Sequence, residues 1–202
     1  MIRAGLAGAA LLLGLAACTP PPGSGPAALS TANWSAALPA DSMQGAGDPA
    51  RAAVFRSAHA FGQPATYAGR PADAARAIAD VEFLSIELAG PRWTGMPLAA
   101  TQLAGARAEW RSALGIAPGA PPQAVIDSLY NVRRALLGGQ PELAPVALSP
   151  AIFSPGGTAT LQRLAALPPL PRTAAAASNA EREMSRAMFD NNRGGGRGRG
   201  RR

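Results

Sequence analysis

Residues 71–90 read PADAARAIADVEFLSIELAG, and the reading of this stretch decides the fold class. Ala74, Ile78, Val81, Leu84 and Leu88 recur at spacings of three and four, the period of one face of an α-helix. Asp73, Arg76, Asp80 and Glu87 fall on the opposite side, which reads as a solvated, charged surface. Phe83 and Ile86 widen the apolar face, so two neighbouring elements are expected to pack on it. Pro71 opens the segment at the first helical position, where its missing N–H costs nothing, and Gly90-Pro91 closes it.

The same punctuation recurs on both sides. Asp48-Pro49 supplies a capping acid and a first-turn proline for ARAAVFRSAHAF, in which Val54, Ala58 and Phe61 share a face. After the connector PRWTGMP (91–97), Ala99, Leu103, Ala106, Trp110 and Leu114 form one stripe, with Gly115 as C-terminal cap and Ile116 as its hydrophobic follower. Val125, Leu129, Val132 and Leu136 form another, with Asp127, Asn131 and Arg134 facing out. No stretch reads as a strand. The expected fold is all-α, a small bundle of about four helices over residues 48–137.

The flanks read differently. Residues 18–47 are rich in Pro, Gly and Ala and form a flexible tether, for which about 30 residues give an end-to-end distance of roughly 30 Å. Prolines interrupt 138–171, an irregular wrap with room for one short helix at 158–166. Residues 172–192 form a last helix whose thin stripe of Ala177, Ala180, Met184 and Met188 predicts loose docking. Residues 193–202, RGGGRGRGRR, form a disordered Arg/Gly tail.

Composition agrees with a small core. Hydrophobic residues make up 48% of the 202 residues, but aromatics only 5%, so the helices must pack closely through alanine. The chain has 19 basic residues against 12 acidic ones, a net +7, and every basic residue is Arg. Five of those Arg lie in the tail and one is Arg3, which leaves 13 against 12 acids for residues 19–192. The basicity is therefore a property of the tail, and the body of the chain is close to neutral.

The N-terminus bears on compartment. In MIRAGLAGAALLLGLAAC, Arg3 precedes an apolar run from Leu6 to Ala17, and the only cysteine of the chain follows at once. The run is too short to span about 30 Å of hydrocarbon and has the build of a signal peptide, residues 1–17. Leu15-Ala16-Ala17-Cys18 resembles the lipobox of bacterial lipoproteins. The resemblance covers residues 1–18 alone and implies lipidation of the Cys18 thiol, cleavage before it, and acylation of the new amino group. Such a protein is anchored in the bilayer of the cell envelope. Thr19, where an Asp favours retention in the inner membrane of this family, leans towards the outer membrane, facing the periplasm. A plain secretory signal would leave Cys18 as an odd free thiol.

Candidate chemistry is sparse. With one His and one Cys, no ligand set for zinc or iron is expected, and no cofactor is expected. His59 reads as a helix C-terminal residue near free carbonyls. Asp80 or Glu82 with Glu87 would be the carboxylate pair of an envelope hydrolase acting on peptidoglycan, which requires them to share a cleft. Arg92 and Trp93 in PRWTGMP are a candidate interaction loop, since Arg and Trp are enriched at binding hot spots. Arg193, Arg197, Arg199, Arg201 and Arg202 are a candidate anion-binding tail. In the cytosol such a tail would bind RNA, and that reading applies if the signal is not used. On an exported chain no nucleic acid is expected, and the partners become anionic envelope polymers or an envelope protein. The function expected is a membrane-anchored, non-catalytic interaction or structural module.

Overall fold

The computed structural model describes residues 35–43 and 47–196, with side chains through 190. The expected signal peptide 1–17, Cys18, most of the expected tether, and Arg197, Arg199, Arg201 and Arg202 lie outside the described residues. Among the described residues the fold is all-α. Seven α-helices follow one another: α1 (Pro49–Gly62), α2 (Pro71–Glu87), α3 (Pro97–Leu114), α4 (Pro122–Leu137), α5 (Leu143–Val146), α6 (Gly157–Ala165) and α7 (Pro171–Gly196). The expected four are α1–α4, each with proline in its first turn. The expected number is corrected upward because α5 and α6 pack within the wrap and α7 joins the bundle.

The helix of residues 71–87, α2, is the centre of the fold. α2 packs against α1, α3, α4 and α6. Every residue from Ala77 to Ile86 is buried, Asp80 and Glu82 included. The solvated charged face expected for this helix is thus corrected at its middle, where Asp80 is buried, while Asp73, Arg76 and Glu87 towards its ends stay partly exposed. Ala74, Ala75, Ala77 and Ala79 keep its surface shallow enough for four neighbours to approach, and arginines on those neighbours accompany its acids inward.

α7 is not loosely held. It packs along α1 and α3 and buries Thr173, Ala176, Ala177, Ala180 and Met184. Carboxylates compensate for its thin apolar stripe. The Arg172 and Thr173 backbone N–H groups donate to Glu109 of α3 at 3.1 and 2.8 Å, and the Thr173 hydroxyl does so at 2.7 Å. In return Glu183 of α7 accepts from the Ala99 N–H at the start of α3, 3.0 Å. Each helix thus supplies an acid to the unsatisfied, electropositive N-terminus of the other. α7 also runs to Gly196, four residues into the stretch expected to be tail. A helix already nucleated by packed turns adds one hydrogen bond per residue, which carries it into successive glycines that each cost about 1 kcal/mol against alanine.

The tether is likewise shorter than expected, because its last part docks. Ala36 and Leu38 pack on the core. The Gln123 side chain exchanges two hydrogen bonds with the Ala37 backbone, 2.8 and 3.1 Å. Arg134 of α4 grips Asp41 through two contacts of 2.6 Å. The Pro-rich wrap is pinned too. Ala117 N–H donates to Ile152 O at 2.8 Å and Ser154 N–H to Gly115 O at 2.9 Å, while Leu148, Phe153, Leu164 and Leu170 go into the core.

Gly115 ends α3 as expected, at φ 68°. Ile116 N–H reaches Arg111 O at 2.7 Å and Gly115 N–H reaches Ser112 O at 3.1 Å, the paired bonds of a Schellman cap. A Cβ at this position would stand 2.6 Å from two ring carbons of Pro155. Gly115→Ala is therefore expected to lower unfolding free energy by at least about 1–2 kcal/mol in urea titration. Gly105→Ala, within exposed α3 with nothing near its would-be Cβ, is expected to raise it by about 0.5–1 kcal/mol.

Candidate functional site

Asp80 and Glu82 are two residues apart on α2, so their side chains leave the helix on nearly opposite sides. Asp80 points between α1 and α4. It accepts from Arg56 Nε and Nη2, each at 2.8 Å, and from the Tyr130 hydroxyl at 3.5 Å. Its side chain is 1% exposed and that of Arg56 23%. Burial pushes the Asp80 carboxyl above its ordinary range, and the Arg56 guanidinium offsets part of this. Burial, then the Asp80 charge, pushes the Tyr130 hydroxyl up to about 12.

Glu82 points to α3 and is fully buried. Oε1 accepts from Arg107 Nη2 at 2.7 Å and Arg111 Nη2 at 2.5 Å, and Oε2 from the Trp110 indole N–H at 2.8 Å. Burial alone would raise its pKa, but the hydrogen bonds and charges of Arg111 and Arg107 outweigh that and hold it below the usual value. Arg111 also donates to the carbonyls of Ala117, Pro118 and Ala120 at 3.0–3.1 Å, so one guanidinium joins α2, α3 and the α3–α4 loop. The spacing carried a signal for this. Ile78, Glu82 and Ile86 lie at intervals of four, on one row of the helix, and an acid on a buried row demands a cation opposite.

Glu87 is somewhere else again. It accepts from the Trp93 indole N–H at 2.9 Å and from Arg92 Nη1 at 3.5 Å. Arg92 stacks 4.8 Å from the Trp93 ring centroid and pairs also with Asp48, the N-cap of α1. The candidate interaction loop therefore clamps the end of α2 to the start of α1. Trp93 is half-buried against the core, while the Arg92 side chain stays 57% exposed. Arg193 lies in the last turns of α7.

The three acids considered for hydrolysis thus occupy three places, each with its own cation. His59 and Asp80 line a common hollow, of about 280 Å³ between α1 and α2, together with Arg56, Tyr67, Arg70 and Arg76. Both oxygens of Asp80 are engaged there by Arg56, which leaves neither placed to take a proton from a water. Among the described residues no three His, Cys, Asp or Glu side chains converge as metal ligands. Compared with known proteins, the chain matches no family model, no curated protein and no solved structure.

Removing the Glu82 carboxylate leaves two buried guanidinium groups without their counter-charge. Glu82→Gln is expected to cost about 3–5 kcal/mol of unfolding free energy at pH 7. A carboxyl whose folded pKa is depressed stabilises the fold above its unfolded value, and that contribution is lost as pH falls through the folded one. The gap between wild type and Glu82→Gln should therefore narrow as the pH drops below 4.5. Chemical denaturation from pH 7 to pH 3 reads this directly; a constant gap would rule out the ionised hub.

Proposed function

We propose that the chain is a lipid-anchored protein of the bacterial cell envelope, held to the bilayer through Cys18, and that its helical domain is a non-catalytic interaction or structural module. The observation that carries this reading is the N-terminal sequence. Arg3, the apolar run Leu6–Ala17 and Leu15-Ala16-Ala17-Cys18 stand in the order and at the spacing that lipid attachment needs. Among the described residues no helix is long and apolar enough to cross a membrane, so attachment falls to this end. Two or three acyl chains suffice for durable anchoring, at about 0.8 kcal/mol per buried methylene.

The interior supports the non-catalytic half of the reading. Acid–base catalysis requires a titratable group with a free lone pair or proton facing substrate. Here Glu82 and Asp80 have both oxygens engaged by donors from neighbouring helices, and Glu87 is held through Oε1 by Trp93 and Arg92, outside the hollow that Asp80 lines. On this view the Arg/Gly end meets anions of the envelope, such as lipid or lipopolysaccharide phosphates, each arginine near such a surface contributing about 1 kcal/mol.

Metabolic labelling with a fatty-acid probe, followed by membrane fractionation, tests the anchor. Wild type should carry label and sediment with the outer membrane, and Cys18→Ser should lose the label and leave the membrane fraction. A soluble cytosolic chain carrying its N-terminus intact and co-purifying with RNA would contradict the proposal.

A further inference from the structure

A second hollow, of about 340 Å³, lies on the other side of Arg56, between α1, α2, α4 and the docked strap of residues 39–43. Three arginines from three helices reach it: Arg56 of α1, Arg76 of α2 and Arg133 of α4. Their charge is not balanced in the way the rest of the interior is balanced. Arg56 is neutralised by Asp80. Asp41, the one acid on the wall, has both oxygens taken by Arg134 at 2.6 Å. That leaves Arg76 and Arg133.

All twelve acidic residues of the chain fall within the described residues, and Arg76 and Arg133 form an ion pair with none of them. Among the described residues the one hydrogen bond from either side chain is a long contact of 3.4 Å, from Arg76 Nη2 to Ser42 O. The Nε atoms of both are shut off from solvent and have no acceptor among the described residues. A guanidinium N–H shut off from solvent without an acceptor is costly, and the two side chains that carry these groups line one hollow. The neighbouring hollow, which shares Arg56 and Arg76, adds a buried Tyr67 whose hydroxyl also lacks a partner.

We propose that this hollow is a binding site for a phosphate group, gripped by Arg76 and Arg133 with Arg56 at its edge. Guanidinium groups present parallel N–H donors that match oxyanions. A phosphate group offers tetrahedrally spread acceptor oxygens to two arginines on different helices at once, which a planar carboxylate does not; as inorganic phosphate or a monoester it also has the charge to neutralise both, whereas the phosphodiester of a lipid headgroup brings one charge. The site goes beyond the anchoring role proposed above and stands or falls independently of Cys18. The phosphate can belong to a lipid headgroup or to a small soluble compound, and the two are separable by experiment.

The test uses the full chain in detergent, titrated calorimetrically with inorganic phosphate and pyrophosphate, with acetate as a carboxylate control. A parallel arm measures co-sedimentation with vesicles of phosphatidylglycerol against phosphatidylcholine. One-to-one binding of phosphate or pyrophosphate is expected, weakened at least tenfold by Arg76→Gln and by Arg133→Gln and unchanged by Arg172→Gln on exposed α7. Arg133→Lys, which keeps the charge but loses the fork, should fall between. Variants are compared only when their unliganded helical circular dichroism matches wild type, and Arg133→Gln, whose side chain makes no internal hydrogen bond, carries the test should Arg76→Gln unfold. Binding confined to phosphatidylglycerol vesicles and lost in the same variants assigns the phosphate to a headgroup. Absence of binding to all three phosphate probes, equal affinity in the variants, or acetate binding as well as phosphate would overturn the proposal.

Discussion

A carboxylate with no access to water, on the central helix of an alanine-rich bundle, is the constraint on which the rest of this structure depends. Isolated, the Glu82 charge would be prohibitively expensive to bury. With Arg107, Arg111 and Trp110 all donating to it, it instead fixes how α2 and α3 lie against each other, since hydrogen bonds have directions that alanine–alanine contacts lack. Arg111 extends the constraint to the carbonyls of the α3–α4 loop. That loop pairs in turn with residues 152–154 and so holds the Pro-rich wrap. One acid thereby organises elements spread over some half of the sequence.

The remaining polar contacts follow the same logic at lower burial. Asp80 orients α1 and α4 about α2 through Arg56 and Tyr130. Glu109 and Glu183 cap α7 and α3 reciprocally. Arg134 and Gln123 fasten residues 37–41 to α4. In a chain with only five percent aromatic residues, apolar burial is bulky at few points, chiefly Trp110, Tyr130, Tyr67 and Phe153. Directional pairs supply specificity that side-chain shape does not. They also consume most of the acids near the core, which leaves Arg76 and Arg133, side by side on one hollow, without an ion pair among the described residues.

Much of this was legible in the sequence. Proline at helix starts, the cap at Gly115 and the apolar stripes of α1 to α4 are local features, and local features are what periodicity reports. The misreadings share one physical cause. Helical period separates apolar from polar residues, but it does not tell a polar residue facing water from one facing a partner on another helix. Asp80 falls on the solvated side on that basis, whereas the spacing Ile78–Glu82–Ile86 marks Glu82 as lying within an apolar row. α7 looks weakly held in the sequence because the two carboxylate caps that fasten it, Glu109 on its own start and its Glu183 on the start of α3, join residues 64 and 84 positions apart. The Arg92 and Trp93 loop looked free because Asp48 and Glu87 become its partners only once α1 and α2 are packed. The dispersal of Asp80, Glu82 and Glu87 into separate ion-pair clusters was equally invisible before the helices were placed.

The central claim is that Glu82 and Arg111 act as one unit in holding the bundle. A double-mutant cycle of Glu82→Leu, Arg111→Met and the pair, followed by urea unfolding at pH 7, measures that directly. Residues that merely sit near each other give additive effects, whereas a shared buried network gives a coupling energy of about 2–3 kcal/mol. The account predicts coupling of that size, with the double variant more stable than the less stable single one. Additivity within about 0.5 kcal/mol would contradict it.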